Sequence, residues 1–325
     1  MTEYTKPLAS VAETIGETPL VRIHAAPESV PVYAKLESFN PGASVKDRIG
    51  KYIIEQLLER GDLEPGGTVI EPTAGNTGIG MALAATQSDV QAVFVVPERF
   101  STEKQQLMRA FGAEIVNTST DEGMGGAIER AHELEDEQEN ALVPQQFANP
   151  LNTEAHYETT APEIYEALSE VGAVVVGCGT AGTLMGIARY AREQNPETFV
   201  AAVEPQGSRY AEFMGEEVEE GEYKTEGIGT NDPTRNELFE RELVDELIRV
   251  SDRAAQDELK RLAREEGHLV ASSSGAASIA ARQVAERIRG GELDAPHDSV
   301  VTVFPDSSER YLSKGIYDDF EEWEG

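Results

Sequence analysis

Gly177-Cys-Gly-Thr-Ala-Gly-Thr183 is the segment whose residue types and spacing point most directly to chemistry. It follows an apolar run, Ala173 to Val176, and opens a helix-period stretch. Glycines let a backbone close on an anion, and the N–H groups of a first helical turn present the positive end of the dipole to it. Thr180 and Thr183 add hydroxyl groups, so the loop reads as a phosphate cradle. Gly177, Gly179 and Gly182 also satisfy G-x-G-x-x-G, and Glu204 ends the next strand where a ribose-binding acid would fall. A dinucleotide, another phosphate ligand and a purely structural turn therefore all fit this loop taken alone.

Glu71-Pro-Thr-Ala-Gly-Asn-Thr-Gly78 repeats the arrangement between a strand and an apolar helix. Thr73, Asn76 and Thr77 offer hydroxyls, an amide and helix-terminal N–H groups to a carboxylate or phenolic oxygen; an Asn-Gly turn with a helix cap is the plain alternative. Val270-Ala-Ser-Ser-Ser-Gly-Ala276 is a third small-polar loop ahead of a helix. Lys46 lies in Asn40-Pro-Gly-Ala-Ser-Val-Lys-Asp-Arg48, where a Pro-Gly turn meets a strongly apolar helix. Partial burial there lowers an amine's pKa and suits it to Schiff-base chemistry. A phosphate cradle together with an activated lysine is what pyridoxal phosphate requires.

Short apolar runs that alternate with helix-period segments must position these loops. Val32 to Leu36, Thr68 to Ile70, Ala92 to Val96, Glu114 to Val116, Ala173 to Val176, Phe199 to Val203 and Val300 to Phe304 read as buried strands. Helices fit 101 to 111, 122 to 138, 153 to 169, 182 to 194, 252 to 266 and 275 to 289, and an apolar stripe from Ile49 to Leu58 stops at Gly61. The pattern predicts an α/β fold with mostly parallel sheets flanked by helices and with ligands at the strands' carboxyl ends. The acidic stretch 206 to 235 is the longest irregular segment, a length usually associated with function or mobility.

Composition sets limits on partners. Sixty Asp and Glu against 27 Lys and Arg leave a net charge of −33, a field that repels nucleic acid. Spread along the whole chain, this excess predicts adaptation to high salt, with stability rising as screening relieves self-repulsion. No apolar run approaches a membrane span, and the N-terminus reads as no signal peptide. A single cysteine, Cys178, allows neither an internal disulfide nor a zinc cluster, so no metal is expected and a cytoplasmic location is.

In combination, these segments resemble the cysteine synthase / cystathionine β-synthase family of fold-type II pyridoxal phosphate enzymes. The likeness runs from Ile15-Gly-Glu-Thr-Pro-Leu-Val21, similar to the family's opening strand, through Pro41-Gly-Ala-Ser-Val-Lys-Asp-Arg-Ile49 and Thr73-Ala-Gly-Asn-Thr-Gly78. It continues with Gln145-Gln-Phe-Ala-Asn-Pro150, His156 to Ile164, the phosphate loop, Gly227-Ile-Gly229, Ser272-Ser-Ser-Gly275 and Pro305-Asp-Ser307. An NAD-dependent oxidoreductase would explain the glycines and Glu204 but not Lys46, Asn76 or Ser273.

The resemblance implies a tryptophan synthase β-subunit-like architecture, with a small mobile domain at 39–148 and a large domain of 1–38 plus 149–325. It implies β-replacement on O-acetylserine or O-phosphoserine with sulfide to give L-cysteine. Condensation of serine with homocysteine and a serine/threonine dehydratase of the same fold are the alternatives. Lys46 is implied to hold the cofactor and act as the base. Asn76, Gly179, Thr180, Ala181, Gly182, Thr183 and Ser273 are implied to bind the cofactor, and Thr73, Gly75, Thr77, Gln146 and Gly227 the substrate. A homodimeric bare catalytic core acting on small molecules is expected. Two departures stand out. Ala74 replaces the usual serine of the carboxylate loop, and Gly227-Ile-Gly229 continues into Thr-Asn-Asp-Pro233 instead of an apolar pair, with Arg209 and Arg235 near enough in sequence to receive a phosphate.

Overall fold

A computed structural model describes residues 7–24, 30–218 and 221–324. The strands are β1 Leu20–Ile23, β2 Val32–Leu36, β3 Gly67–Pro72, β4 Val90–Pro97, β5 Glu114–Thr118, β6 Ala141–Leu142, β7 Ala173–Gly177, β8 Phe199–Pro205, β9 Glu246–Val250 and β10 Val300–Phe304. The helices are α1 Lys46–Arg60, α2 Asn76–Ala85, α3 Thr102–Ala110, α4 Gly123–Asp136, α5 Pro150–Ala155, α6 Ala161–Ala167, α7 Gly182–Gln194, α8 Asp252–Arg261 and α9 Ser272–Gly290. Contacts divide the chain into two compact units, one of residues up to Glu17 with Asn40–Ala155, the other of Thr18–Phe39 with the chain from His156 onward.

The first unit is built on a four-stranded parallel sheet in the order β5-β4-β3-β6. Ile49, Ile53, Ile54 and Leu57 of α1 fall at helical spacing and are buried against this unit's core with Ile79, Met81 and Phe94. Helix α1 stops at Gly61, whose φ of 74° is left-handed and whose N–H reaches the carbonyls of Leu57 and Leu58. The second unit carries a six-stranded sheet, β1-β2-β10-β7-β8-β9, parallel except for the antiparallel edge strand β1. Strands β8 and β10 are buried along their whole length, as expected where helices cover both faces.

Sheet order decides where ligands bind. In the first sheet, the neighbours of β3 are β4 on one side and β6 on the other, so the order in which strands are added across the sheet reverses beside it; in the second sheet, β7 stands between β10 and β8 in the same way. The loops leaving β3 and β7 therefore occupy topological switch points, where crossovers diverge and leave a crevice. These two loops hold Thr73–Thr77 and Gly179–Thr183.

Four elements differ from expectation. The strand expected from Ile15 begins only at Leu20, because Gly16 and Glu17 take φ values of 96° and 47°, which no strand accommodates. The helix expected over 153–169 is three pieces, α5, a π-turn at His156–Thr160 and α6. Pro162 in the first turn of α6 has no N–H to donate back four residues, so the ladder shifts there. The helix expected over 252–266 likewise ends as a π-turn, Leu262–Glu266. Strand β9 lacks a strong apolar run, with Arg249 exposed on it, and its pairing with β8 is what makes it a strand. Among the described residues, no helix is long and apolar enough to cross a membrane.

Candidate active site

Lys46 is the first residue of α1 and is half-buried. The turn before it closes because Gly42 N–H donates to Asp47 Oδ2 at 2.5 Å, and Lys46 N–H donates to Ser44 Oγ at 3.2 Å. Helix α2 then fixes its backbone. A Cβ built on Gly80 would overlap the Lys46 carbonyl oxygen and stand 2.9 Å from Asp47 N, while one on Gly50 would lie 2.6 Å from Gly80 O and Met81 N. The two helices cross backbone to backbone, with Asn76 one turn N-terminal to Gly80 on the same face of α2.

The Thr73–Thr77 segment, expected to grip a carboxylate, occupies the head of that helix. Gly75 is extended and no side chain caps α2, so its first-turn N–H groups keep the anion-binding character of a helix start. Thr73 is buried, and its Oγ1 accepts from Gly75 N–H at 3.2 Å, leaving the hydroxyl proton available. Thr77 Oγ1 donates to Gln146 Oε1 at 2.6 Å. That bond uses Thr77's one hydroxyl proton and turns the Gln146 amide nitrogen, a donor, away from it. Of this pair, Gln146 Nε2 and the Thr77 backbone N–H are then the remaining donors, the kind of group that a carboxylate would need. Ala74 packs partly buried against the core instead of presenting a hydroxyl.

Glu71, at the end of β3, escaped the sequence reading as a site residue. It is 1 % exposed and accepts from the backbone N–H groups of Gln145 and Gln146 at 3.2 and 3.3 Å. Gln145 has a φ of 59°, a left-handed conformation for a non-glycine residue, and these bonds help to hold it. Burial pushes the Glu71 carboxyl up to about 7, opposed by the two N–H groups. Asn152 Nδ2 donates to Gln146 O at 2.7 Å, so Gln146 is held from both sides of its backbone.

The second unit holds the Gly179–Thr183 segment expected to cradle a phosphate. Helix α7 starts from Ala181 at φ 72° and α9 from Ala271, both without a side-chain cap, whereas α8 is capped by Ser251. Thr180 is buried and Thr183 is half-buried. His156, fully buried, meets Thr160 Oγ1 through Nδ1 at 2.9 Å and Thr183 Oγ1 through Nε2 at 3.0 Å, which steadies the cradle from behind. Gly229 N–H donates to Cys178 O at 2.7 Å, a Cβ on Gly179 would overlap Gly227 O, and one on Gly227 would be 4.0 Å from Ser273 Oγ. Gly179, Gly227 and Ser273 (3 % exposed) thus lie close together. Cys178 is fully buried and its thiol is pushed up to about 12 by burial, which makes it a packing residue.

Glu204 does not serve a ribose. It is fully buried, accepts from Tyr210 N–H at 2.9 Å and pairs with Arg249 Nε at 3.1 Å. Within the second unit the donors present suit the phosphate and ring of pyridoxal phosphate instead: uncapped N–H groups and threonine hydroxyls on backbone that admits no Cβ at Gly179, and a buried serine hydroxyl for a ring nitrogen.

Comparison with known proteins agrees. A family described as pyridoxal-phosphate dependent enzyme matches residues 11–306. The chain is 44 % identical over 96 % of its length to O-acetylserine dependent cystathionine beta-synthase of Bacillus subtilis, covering 98 % of that protein, and 42 % identical over 95 % of its length to a cysteine synthase of Helicobacter pylori, covering 99 %. A crystal structure of cysteine synthase from Entamoeba histolytica superposes with a TM-score of 0.89 at 35 % identity, over 98 % of this chain and 93 % of that one.

Proposed function

Because the chain belongs to the family of pyridoxal-phosphate dependent enzymes, we propose that it performs β-replacement on an activated serine, with sulfide as nucleophile and L-cysteine as product. The observation that carries this reading is the placement, within one unit, of half-buried Lys46 at the head of α1 and a carboxylate-binding loop at the uncapped head of α2, with the helices in backbone contact. Pyridoxal phosphate, when bound, supplies an aldehyde that condenses with amines and a ring that withdraws electrons from the substrate's Cα–H bond. Lys46 would hold that aldehyde, and its amine would take the substrate's Cα proton and later return it. Thr73, Gln146 and the α2 N–H groups orient the substrate carboxylate. Asn76 offers its amide to the ring hydroxyl. Ser273 offers a neutral hydroxyl to the pyridine nitrogen, which a carboxylate would hold protonated; the weaker electron sink favours loss of the β-substituent over racemisation or transamination.

The Arg side chains considered for phosphate are engaged elsewhere. Arg209 donates to Glu212 Oε1 and Oε2 at 2.6 and 3.2 Å and to Asn231 O at 3.2 Å, and Arg235 pairs with Asp232 at 3.0 Å. O-acetylserine is therefore the favoured donor. A second reading, homocysteine as the nucleophile, is supported by the Bacillus subtilis relative's name. The deciding test is the visible spectrum of the purified protein with O-acetylserine, O-phosphoserine or serine, followed by sulfide or homocysteine. A long-wavelength shift with O-acetylserine, reversed by sulfide with release of cysteine, is expected. Reversal by homocysteine alone gives the second reading, and release of ammonia and a keto acid without a thiol replaces both with a dehydratase.

The acidic surface and the family likeness support a cytoplasmic homodimer adapted to high salt. Sedimentation should give a dimer mass, with a melting temperature that rises between low and molar potassium chloride; a monomer, or a flat melting temperature, removes the corresponding part.

A further inference from the structure

Behind the phosphate cradle, two buried side chains converge on one carbonyl oxygen. Tyr210 Oη donates to Gly179 O. Asn236 Nδ2 donates to the same oxygen at 2.8 Å and to Tyr210 Oη at 2.5 Å. Tyr210 is 0 % and Asn236 2 % exposed. Both are aimed by further contacts. Tyr210 N–H is held by Glu204, and its ring packs 5.8 and 5.5 Å from those of Phe213 and Phe239. Asn236 Oδ1 accepts from Thr230 Oγ1 at 3.0 Å. Burial also keeps the Tyr210 hydroxyl protonated far above its ordinary range, so it remains a donor.

Two donors on one carbonyl occupy both of its lone pairs and fix the plane of the peptide that it belongs to. Peptide 179–180 is trans, as are all the described peptide bonds. Its N–H, that of Thr180, therefore points away from the Tyr210–Asn236 side. Rotating this peptide would break both bonds and strand two buried donors, at the cost of their desolvation. Gly179 also abuts Gly227 O, and Cys178 O receives Gly229 N–H, so the same peptide sets the seat of the 227–229 loop.

We propose that Tyr210 and Asn236 are positioning residues that hold the Gly179–Thr180 peptide with its N–H toward the cofactor phosphate, making these two residues determinants of cofactor affinity. The proposal rests on the pyridoxal phosphate reading above. It is tested with the full chain by titrating wild type, Tyr210→Phe and Asn236→Ala with pyridoxal phosphate and with pyridoxal, which has the same aldehyde and ring but no phosphate. The ³¹P resonance of each holoenzyme is recorded alongside. Each variant should bind pyridoxal phosphate about tenfold more weakly, a loss of about 1.4 kcal/mol, bind pyridoxal as wild type does, and shift the ³¹P resonance. Tyr210→Phe keeps the ring packing and carries the test alone if Asn236→Ala does not fold. Equal losses for the two aldehydes mean general support of the fold and overturn the proposal, as do unchanged affinity and resonance. A wild-type chain that binds neither aldehyde removes the functional reading itself and this proposal with it.

Discussion

Lys46→Ala should lower turnover by about a thousandfold or more, the scale of losing a positioned acid–base group together with a covalent anchor. The side chain leaves the head of α1, where its backbone is fixed by Gly80 and its N–H by Ser44. The threonines and α7 N–H groups proposed to hold the phosphate belong to the second unit, and the substitution changes none of them. The variant should therefore retain pyridoxal phosphate non-covalently, with the absorption of the free aldehyde, while failing to release product over hours. Turnover within tenfold of wild type, or an unchanged enzyme-bound spectrum, would mean that another amine does this work.

Gly80→Ala should be the most damaging substitution that touches no substrate. Alanine normally favours a helix interior over glycine by about 1 kcal/mol. Here its Cβ meets backbone: the carbonyl oxygen of Lys46, and the carbonyl carbon of that residue at 2.6 Å. Backbone in a helix cannot swing aside as a side chain does, so α1 and α2 must separate, at an overpacking cost of about 1–3 kcal/mol. Lys46 then moves relative to Thr73 and Thr77, and a displacement near 1 Å is worth about 100-fold in rate. Both kcat/KM and melting temperature should fall. Gly125→Ala in α4, where a Cβ would have nothing within 4 Å, is the control and should be neutral or mildly stabilising. If the two variants behave alike, close packing at Gly80 does not position the lysine.

Much of the candidate site could be marked out in the sequence because the residues proposed for it are local. The cradle, the carboxylate loop and Lys46 are each contiguous segments in which glycines, small polar residues and a following helix period stand side by side. Glu204 shows the limit of such reading. Its place after a strand fits a ribose acid, and only the partners that surround it, Tyr210 N–H and Arg249, turn it into a structural anchor. Stretch 206–235 carried no periodicity, yet it delivers Tyr210 to Gly179, and Asn236 just past it reaches the same carbonyl.

By itself, the sequence determined the alternation of strands and helices, the stop of α1 at Gly61 and the acidic character of the chain. These follow from patterns within a few residues, the range over which backbone hydrogen bonding and side-chain periodicity act. Tertiary structure alone decided the two sheet orders, which place the β3 and β7 loops at switch points, the contact of Gly80 with Lys46, the carboxylate that holds Gln145 and Gln146, and the paired donors on Gly179. Each of these joins positions some tens of residues apart, and at that separation only the packing of whole elements against one another determines which groups meet.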